Sequence, residues 1–248
     1  MIKLSKSKWQ GALYGFIAVI ILWYALSVAL KIPIVPSPVA VFINILAIFK
    51  TKMEIHALYS LGRITGGIVV SILIGVPLGF LMGYFAKVDK VLSPLVYFTY
   101  PIPKIALLPI IMLLFGLGEG SKLIMIVLIV IFQIIITARD AVKGIPPEIY
   151  RSLQSLGASR RQMFTEIIVP ASLSKVLTAT RLALGTAVSI LFFTETFGTE
   201  YGMGYFIMDS WMRVNYLDMY AGIVVLSFMG FCIFTAIDIA ENYICSWQ

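Results

Sequence analysis

The chain has 248 residues, of which 60% are hydrophobic and only 12% charged, with a formal net charge of +7. Soluble domains carry roughly 25% charged residues, so the composition excludes a soluble globular protein and points to an all-α, polytopic membrane protein. The positive balance fits inner loops facing anionic lipid rather than nucleic acid, since no basic groove interleaved with aromatics occurs, and the two cysteines, Cys232 and Cys245, have no metal-ligand spacing.

In chain order, Lys3, Lys6 and Lys8 precede an uncharged run from Gly11 to Leu30. About 20 apolar residues cross a bilayer as a helix, so this run reads as a first span and an anchor rather than a cleaved signal, with its lysines inside. Pro33, Pro36 and Pro38 break the helix. Ser37 then caps an interfacial helix on the outer face, bearing Val41, Phe42, Ile45 and Phe49, and a polar patch follows from Lys50 to His56. His56, the only histidine, reads as a solvated loop residue. A second span covers 64–84, with Gly67, Ser71, Gly75, Gly79 and Gly83 at every fourth position. We assign Gly67, Gly75, Gly79 and Gly83 to helix packing, because small residues at this spacing let helix backbones approach in lipid. Pro77 is expected to kink this helix.

The third span, 91–115, contains Pro94, Pro101, Pro103 and Pro109 with Lys104 among them. Broken backbone at membrane depth needs protein or a water-filled cavity around it, and an ionisable residue there is a functional candidate. Tyr100 and Lys104 are therefore candidates for a translocation path. A short outer loop leads to a fourth span, 123–137. After it comes the longest polar stretch of the chain, from Pro146 to Pro170. It reads as two short helices: the first opens at Pro146 and Pro147, with Ile149, Leu153 and Leu156 on one face, and ends at Gly157. Ser159 and Gln162 have capping-box spacing and start the second, which carries Phe164, Ile167 and Ile168 and is stopped by Pro170.

The fifth span starts near Val176, carries Arg181 and reaches Glu195 after only 13 uncharged residues, so one of those charges must lie within protein or a cavity. Thr194 and Glu195 join the path candidates, with a helix cap as the alternative. An outer loop, 196–217, precedes the last span, 219–237. Lys and Arg are in excess on the inner side of this arrangement. That gives six spans with both termini inside and puts the 146–170 hairpin in the cytoplasm. One domain covers 1–248: the first span and outer helix to residue 55, and a core from 56 to 248.

At the hairpin the sequence resembles the membrane (permease) subunit of binding-protein-dependent ABC importers. That family's loop motif runs Glu-Ala-Ala, three residues, Gly, nine residues, Ile, one residue, Leu-Pro. Gly157, Ile167 and Pro170 fall in register, with Val169 at the Leu position; Arg151, Ser152 and Leu153 stand where Glu-Ala-Ala is usual. VPSP, SLGRITGG, YPIPKIALLP, FGLGEGSK and TETFGTEYGMGY resemble the nitrate, sulfonate, taurine and bicarbonate branch, and the similarity covers nearly the whole chain. The resemblance implies a type I (MetI-like) permease fold in a prokaryotic plasma membrane. It implies a second permease copy, an external solute-binding protein and an ATPase seated on the hairpin. Arg151, Leu153, Leu156, Gly157, Ala158, Ser159, Phe164 and Ile167 would make or shape that contact. No GxxxxGK[ST] loop occurs in this chain, so it is not read as an enzyme; ATP and Mg would belong to the partner ATPase, and no cofactor is expected here. A secondary transporter or channel without an ATPase is the alternative. It would leave the hairpin unexplained, and no internal repeat supports it. An intramembrane enzyme would need a convergent ligand or carboxylate set, which His56 alone does not supply.

Overall fold

The computed structural model describes residues 6–245; Lys3 lies outside them, as do the side chains of Lys6 and Lys8. All regular structure among these residues is helical: α1 (Lys6–Leu30), α2 (Pro38–Tyr84), α3 (Ala86–Thr99), α4 (Leu108–Phe115), α5 (Glu119–Lys143), α6 (Pro147–Ser155), α7 (Arg160–Glu195), α8 (Met203–Met212) and α9 (Tyr216–Ile244). Helices α1, α2, α5, α7 and α9 are long and apolar enough to cross a membrane. Helix α3 and the segment Lys104–Phe115 form a pair bent by 81°, which makes a sixth span if counted as one. The bend sits at Pro101 and Pro103, where the chain loses backbone donors and leaves the helical region.

Three expectations about continuity are corrected. The polar patch 50–56 is helical. No Gly or Pro occurs between Pro38 and Gly62, and polar residues alone do not end a helix, so the chain absorbs them through a π turn at Phe49–Met53. Pro170 does not stop the second helix of the hairpin. A π turn at Met163–Ile168 precedes it, and the Val169 N–H reaches back five residues to the Phe164 carbonyl. The wider turn makes room for the proline ring, so α7 runs on to Glu195. The segment 196–217, expected to be a loop, contains α8. At the start of α2 the sequence reading and the structure agree: the Ser37 side chain accepts a hydrogen bond from the Ala40 N–H at 3.3 Å.

The chain divides into two compact units, 1–60 with 200–229 and 61–199 with 230–248. In the first, Trp23 Nε1 of α1 donates to the Pro36 carbonyl at 3.1 Å and stacks on Tyr220. Val41, Met53, Met203, Phe206, Ile207 and Ala221 are buried. Asn44 donates to Asp218 at 2.7 Å, and Lys52 lies 3.6 Å from the same carboxylate. His56 is not a solvated loop residue. It lies on α2 among Tyr201, Tyr205 and Phe206, and its Nδ1 accepts the Gly202 N–H at 3.1 Å; chain distant in sequence covers it.

The second unit is built on α5, which is buried along most of its length. Helix α2 lies against it through the glycines of the fourth-position repeat. A Cβ on Gly67 would sit 2.4 Å from Ile126 Cγ2, and one on Gly83 2.5 Å from Val142 Cβ. Only a residue without a side chain permits this approach. Arg181 of α7 pairs with Asp238 of α9 and lies 3.3 Å from Glu241, so this charge of the fifth span is neutralised within the protein.

Candidate functional site

The hairpin between α5 and α7 is rigid because each of its turns is closed by local hydrogen bonds. Gly157 has φ +75°, a left-handed conformation that glycine adopts without penalty. Its N–H bonds the Gln154 carbonyl at 2.9 Å, and the Ala158 N–H bonds the Leu153 carbonyl at 3.2 Å. Those two bonds form a Schellman motif, which satisfies carbonyls left open at the end of α6. Ser159 then makes a full capping box with Gln162: its side chain accepts the Gln162 N–H, and the Gln162 side chain accepts the Ser159 N–H at 2.8 Å.

The inner side of the hairpin is anchored. Leu153, Ala158, Phe164 and Tyr150 pack on a core that includes Phe80, Val142, Met163, Ile167 and Ile168. Phe164 meets Tyr84 edge-on, with ring centroids 5.1 Å apart. The Tyr150 hydroxyl is buried with no hydrogen-bond partner among the described residues, and burial pushes that phenol above its ordinary range. The shared face expected for Ile149, Leu153 and Leu156 is split. Leu153 points inward with Tyr150, while Ile149 is exposed and Leu156 is 82% exposed at the tip. Turning α6 so that the large Tyr150 is covered leaves those two aliphatic side chains outside. Arg151 and Ser159 are exposed as well.

The path candidates fall in two places. Tyr100 is exposed and Lys104 half-buried, both at the break between α3 and Lys104–Phe115. The Lys104 ammonium donates to the Thr99 and Tyr100 carbonyls at 3.2 and 3.0 Å and lies 4.7 Å from the centre of the Phe132 ring. It therefore binds carbonyls at the end of α3, while facing an aromatic surface. Thr194 and Glu195 are fully buried at the end of α7. Thr194 bonds the Leu191 carbonyl at 2.9 Å, and Glu195 accepts from Arg63 at 2.7 Å.

Residues 75–245 match the family described as binding-protein-dependent transport system inner membrane component. The chain belongs to this family. It is 30% identical to the taurine transport system permease protein TauC of Escherichia coli, over 78% of this chain and 70% of TauC. It is 29% identical to the formylaminopyrimidine transport permease protein ThiX of Halalkalibacterium halodurans, over 94% of both chains. Among solved structures it shares its fold with an inward-facing conformation of the MetNI methionine ABC transporter, at a TM-score of 0.68 and 20% identity over 76% of this chain and 94% of that one. The protein is thus a multi-pass permease subunit of an ABC importer, a component that works with a separate ATPase and a solute-binding protein.

The permease has a second polar constellation that sequence reading missed. Arg63 of α2 is 4% exposed and grips Glu119 at the start of α5 with two nitrogens, at 2.6 and 2.5 Å, while its third nitrogen binds Glu195 of α7. Lys122 is 1% exposed and donates to the Leu117 and Gly118 carbonyls at 2.8 and 3.3 Å. Counting the sign and position of basic residues places Arg63 and Lys122 on the outer side and says nothing of their burial. A signal was present in the short distance from Arg181 to Glu195, which requires that one of these charges lie within the protein, and a buried charge requires a counter-ion.

Proposed function

We propose that the 146–170 hairpin is the coupling element that seats in a groove of the partner ATPase, on the cytoplasmic side, with both termini of the permease on that side. The observation that carries this reading is an aliphatic side chain, Leu156, held 82% exposed at the tip of a doubly capped turn. Covering a leucine side chain held at the tip of a polar turn is worth about 1.5–3 kcal/mol, which a groove on the partner would supply. Leu156, Gly157, Ser159 and Arg151 would face the ATPase, whereas Leu153, Ala158, Phe164 and Ile167 hold the element in shape from behind. ATP and Mg belong to the ATPase; this chain contributes no catalytic residue. A packed hairpin continuous with α7 transmits rigid-body motion, so closure of the ATPase pair would move the membrane helices and expose the path alternately to the two sides. Two copies of the permease, surrounded by membrane lipid, would form that path.

The transported solute is a small molecule delivered by the binding protein, of the nitrate, sulfonate, taurine or bicarbonate kind. Support comes from the half-buried cation of Lys104 at the only sharply bent span found among the described residues and from the likeness to TauC; an ammonium at membrane depth favours an anionic group. The reading is tested by co-purifying the complex and measuring ATP turnover with the loaded binding protein. Leu156→Asp is expected to lose the ATPase while keeping helix content, and retention of a full complement of ATPase would sink the coupling assignment. Arg151→Glu asks whether the departure from the family's usual acid matters; unchanged assembly and transport would make Arg151 a solvated charge. A ligand screen on the partner binding protein identifies the solute, and a cationic ligand would refute the anion reading.

A further inference from the structure

Three sequence motifs far apart in the chain, SLGRITGG, FGLGEGSK and the start of TETFGTEYGMGY, meet at one point. The first supplies Arg63, the second Glu119 and Lys122, the third Glu195 and Thr199, whose hydroxyl lies 3.4 Å from Arg63 Nη2. The set contains two cations and two carboxylates. Arg63, Lys122 and Glu195 are each at least nine-tenths buried; Glu119 alone reaches the surface, with 57% of its side chain exposed. The neighbouring turn is locked as well: a Cβ on Gly198 would lie 2.6 Å from Leu117 Cδ2. This point is at the ends of α5 and α7 remote from the hairpin, since the hairpin follows Lys143 and precedes α7, while Glu119 opens α5 and Glu195 closes α7. Along α5 the separation is 25 residues, or about 37 Å at 1.5 Å per residue.

A guanidinium with a planar fork holds one carboxylate through two bonds and still has a nitrogen for a second. Pulling Arg63 away would break a buried ion pair and take from the fully buried Glu195 the guanidinium that donates to it, a loss that is costly inside a protein. We propose that Arg63, Glu119 and Glu195 act as a clamp that keeps the hairpin-remote ends of α5 and α7 fixed to the middle of α2 as one body throughout the transport cycle. The opening on that side then takes place outside this three-helix body, and none of the three carboxylate–guanidinium bonds breaks. The clamp residues are positioning residues that transmit the hairpin's motion across the membrane; the inference rests on the importer reading given above.

The test uses the complete transporter in lipid nanodiscs, in nucleotide-free and vanadate-trapped forms, with Cys232 and Cys245 replaced by Ala. Ser121, fully buried one residue before Lys122, is changed to Cys and reacted with a hydrophilic maleimide. Gly120→Cys, where the added side chain has open space, serves as the exposed reference. Retention of trapped nucleotide is read first. A sample that traps nothing argues against the importer reading, whereas the labelling of a sample that does trap addresses the clamp alone. The clamp predicts that the Cys at 121 reacts at least about tenfold more slowly than that at 120 in both forms. Equal reactivity in either form would show that the cluster is a latch that opens, and would overturn the inference. Adding Arg63→Met should bring the rate at 121 close to that at 120 in both forms; an unchanged slow rate would show that the guanidinium does not hold the ends together. If Arg63→Met does not assemble, Arg63→Lys, which keeps the charge and loses the fork, replaces it. An intermediate rate is then expected, and the parent's rate would overturn the inference.

Discussion

The packing of α2 on α5 makes a quantitative prediction at Gly79. A Cβ there would stand 2.5 Å from Ala138 Cβ and 2.6 Å from the Ile135 carbonyl oxygen. Carbon pairs are at their best at about 3.5–4.0 Å, so the shortfall is about 1 Å, and one of the obstructing atoms belongs to the helix backbone and cannot rotate away. Gly79→Ala must push the two helices apart, which loosens the neighbouring close approaches of Gly75 on Ile134 and Gly83 on Val142. Overpacking of this kind costs about 1–3 kcal/mol. Alanine also favours the helix by about 1 kcal/mol over glycine, which would mask part of the loss. Gly62→Ala removes that ambiguity: Gly62 lies on the same helix, with nothing within 4 Å of the added carbon, so it gains the propensity without the clash. Both variants would be purified in one detergent and unfolded by titration with SDS. Gly79→Ala should be less stable than Gly62→Ala by about 1–3 kcal/mol. Equal stabilities within about 0.5 kcal/mol would refute the packing argument.

Other positions give tests of a similar kind. Ser159→Ala removes the side-chain half of the capping box and should cost about 1 kcal/mol, read as a lowered unfolding midpoint and faster hydrogen exchange confined to 159–163. Tyr150→Phe removes a buried hydroxyl that has no partner among the described residues; stability should hold or rise by up to about 1 kcal/mol, and a clear loss would mean the hydroxyl is bonded in the assembled transporter. Gly157→Val must place a β-branched residue at φ +75°, at a cost above the roughly 1–2 kcal/mol typical of L-residues there. Gly157→Asn tolerates the left-handed region. Val should therefore reduce ATPase co-purification and Asn preserve it. Lys104→Met keeps the side chain's length without its charge, and solute uptake by reconstituted vesicles should fall; uptake at the parent rate would remove Lys104 from the path.

What was legible in the sequence was local. The cap at Ser37, the break at Pro101 and Pro103, the Ser159–Gln162 box and the left-handed turn at Gly157 each depend on residues within a few positions of one another, and the structure contains all of them. The glycine repeat of α2 was legible because a period of four marks one helix face, although the partner, α5, was not. Helix continuity was misread where a π turn carried the chain past a polar patch or a proline, since nothing in composition separates a π turn from a helix end. The Arg63 cluster was invisible for a different reason. Its members lie 56 and 132 positions away from Arg63, and only the fold brings them together. Leu156 was placed on one face with Ile149 and Leu153 because spacing alone does not reveal that Tyr150, a larger side chain on the next face, wins the core.

The π turn at Met163–Ile168 also sets an angle. Successive residues of an α-helix are turned by about 100° about its axis, and a π turn holds roughly one residue more than the α turn it replaces. The hairpin's packed face and the buried face of α7 are therefore out of step by most of a quarter turn or more, compared with an uninterrupted helix. Deleting one exposed residue there, such as Thr165, would restore α geometry and swing the hairpin tip around the axis of α7 without touching any residue of either face. A single insertion or deletion at this point is thus a way for a permease lineage to re-aim the contact proposed for the hairpin while leaving its membrane core unchanged.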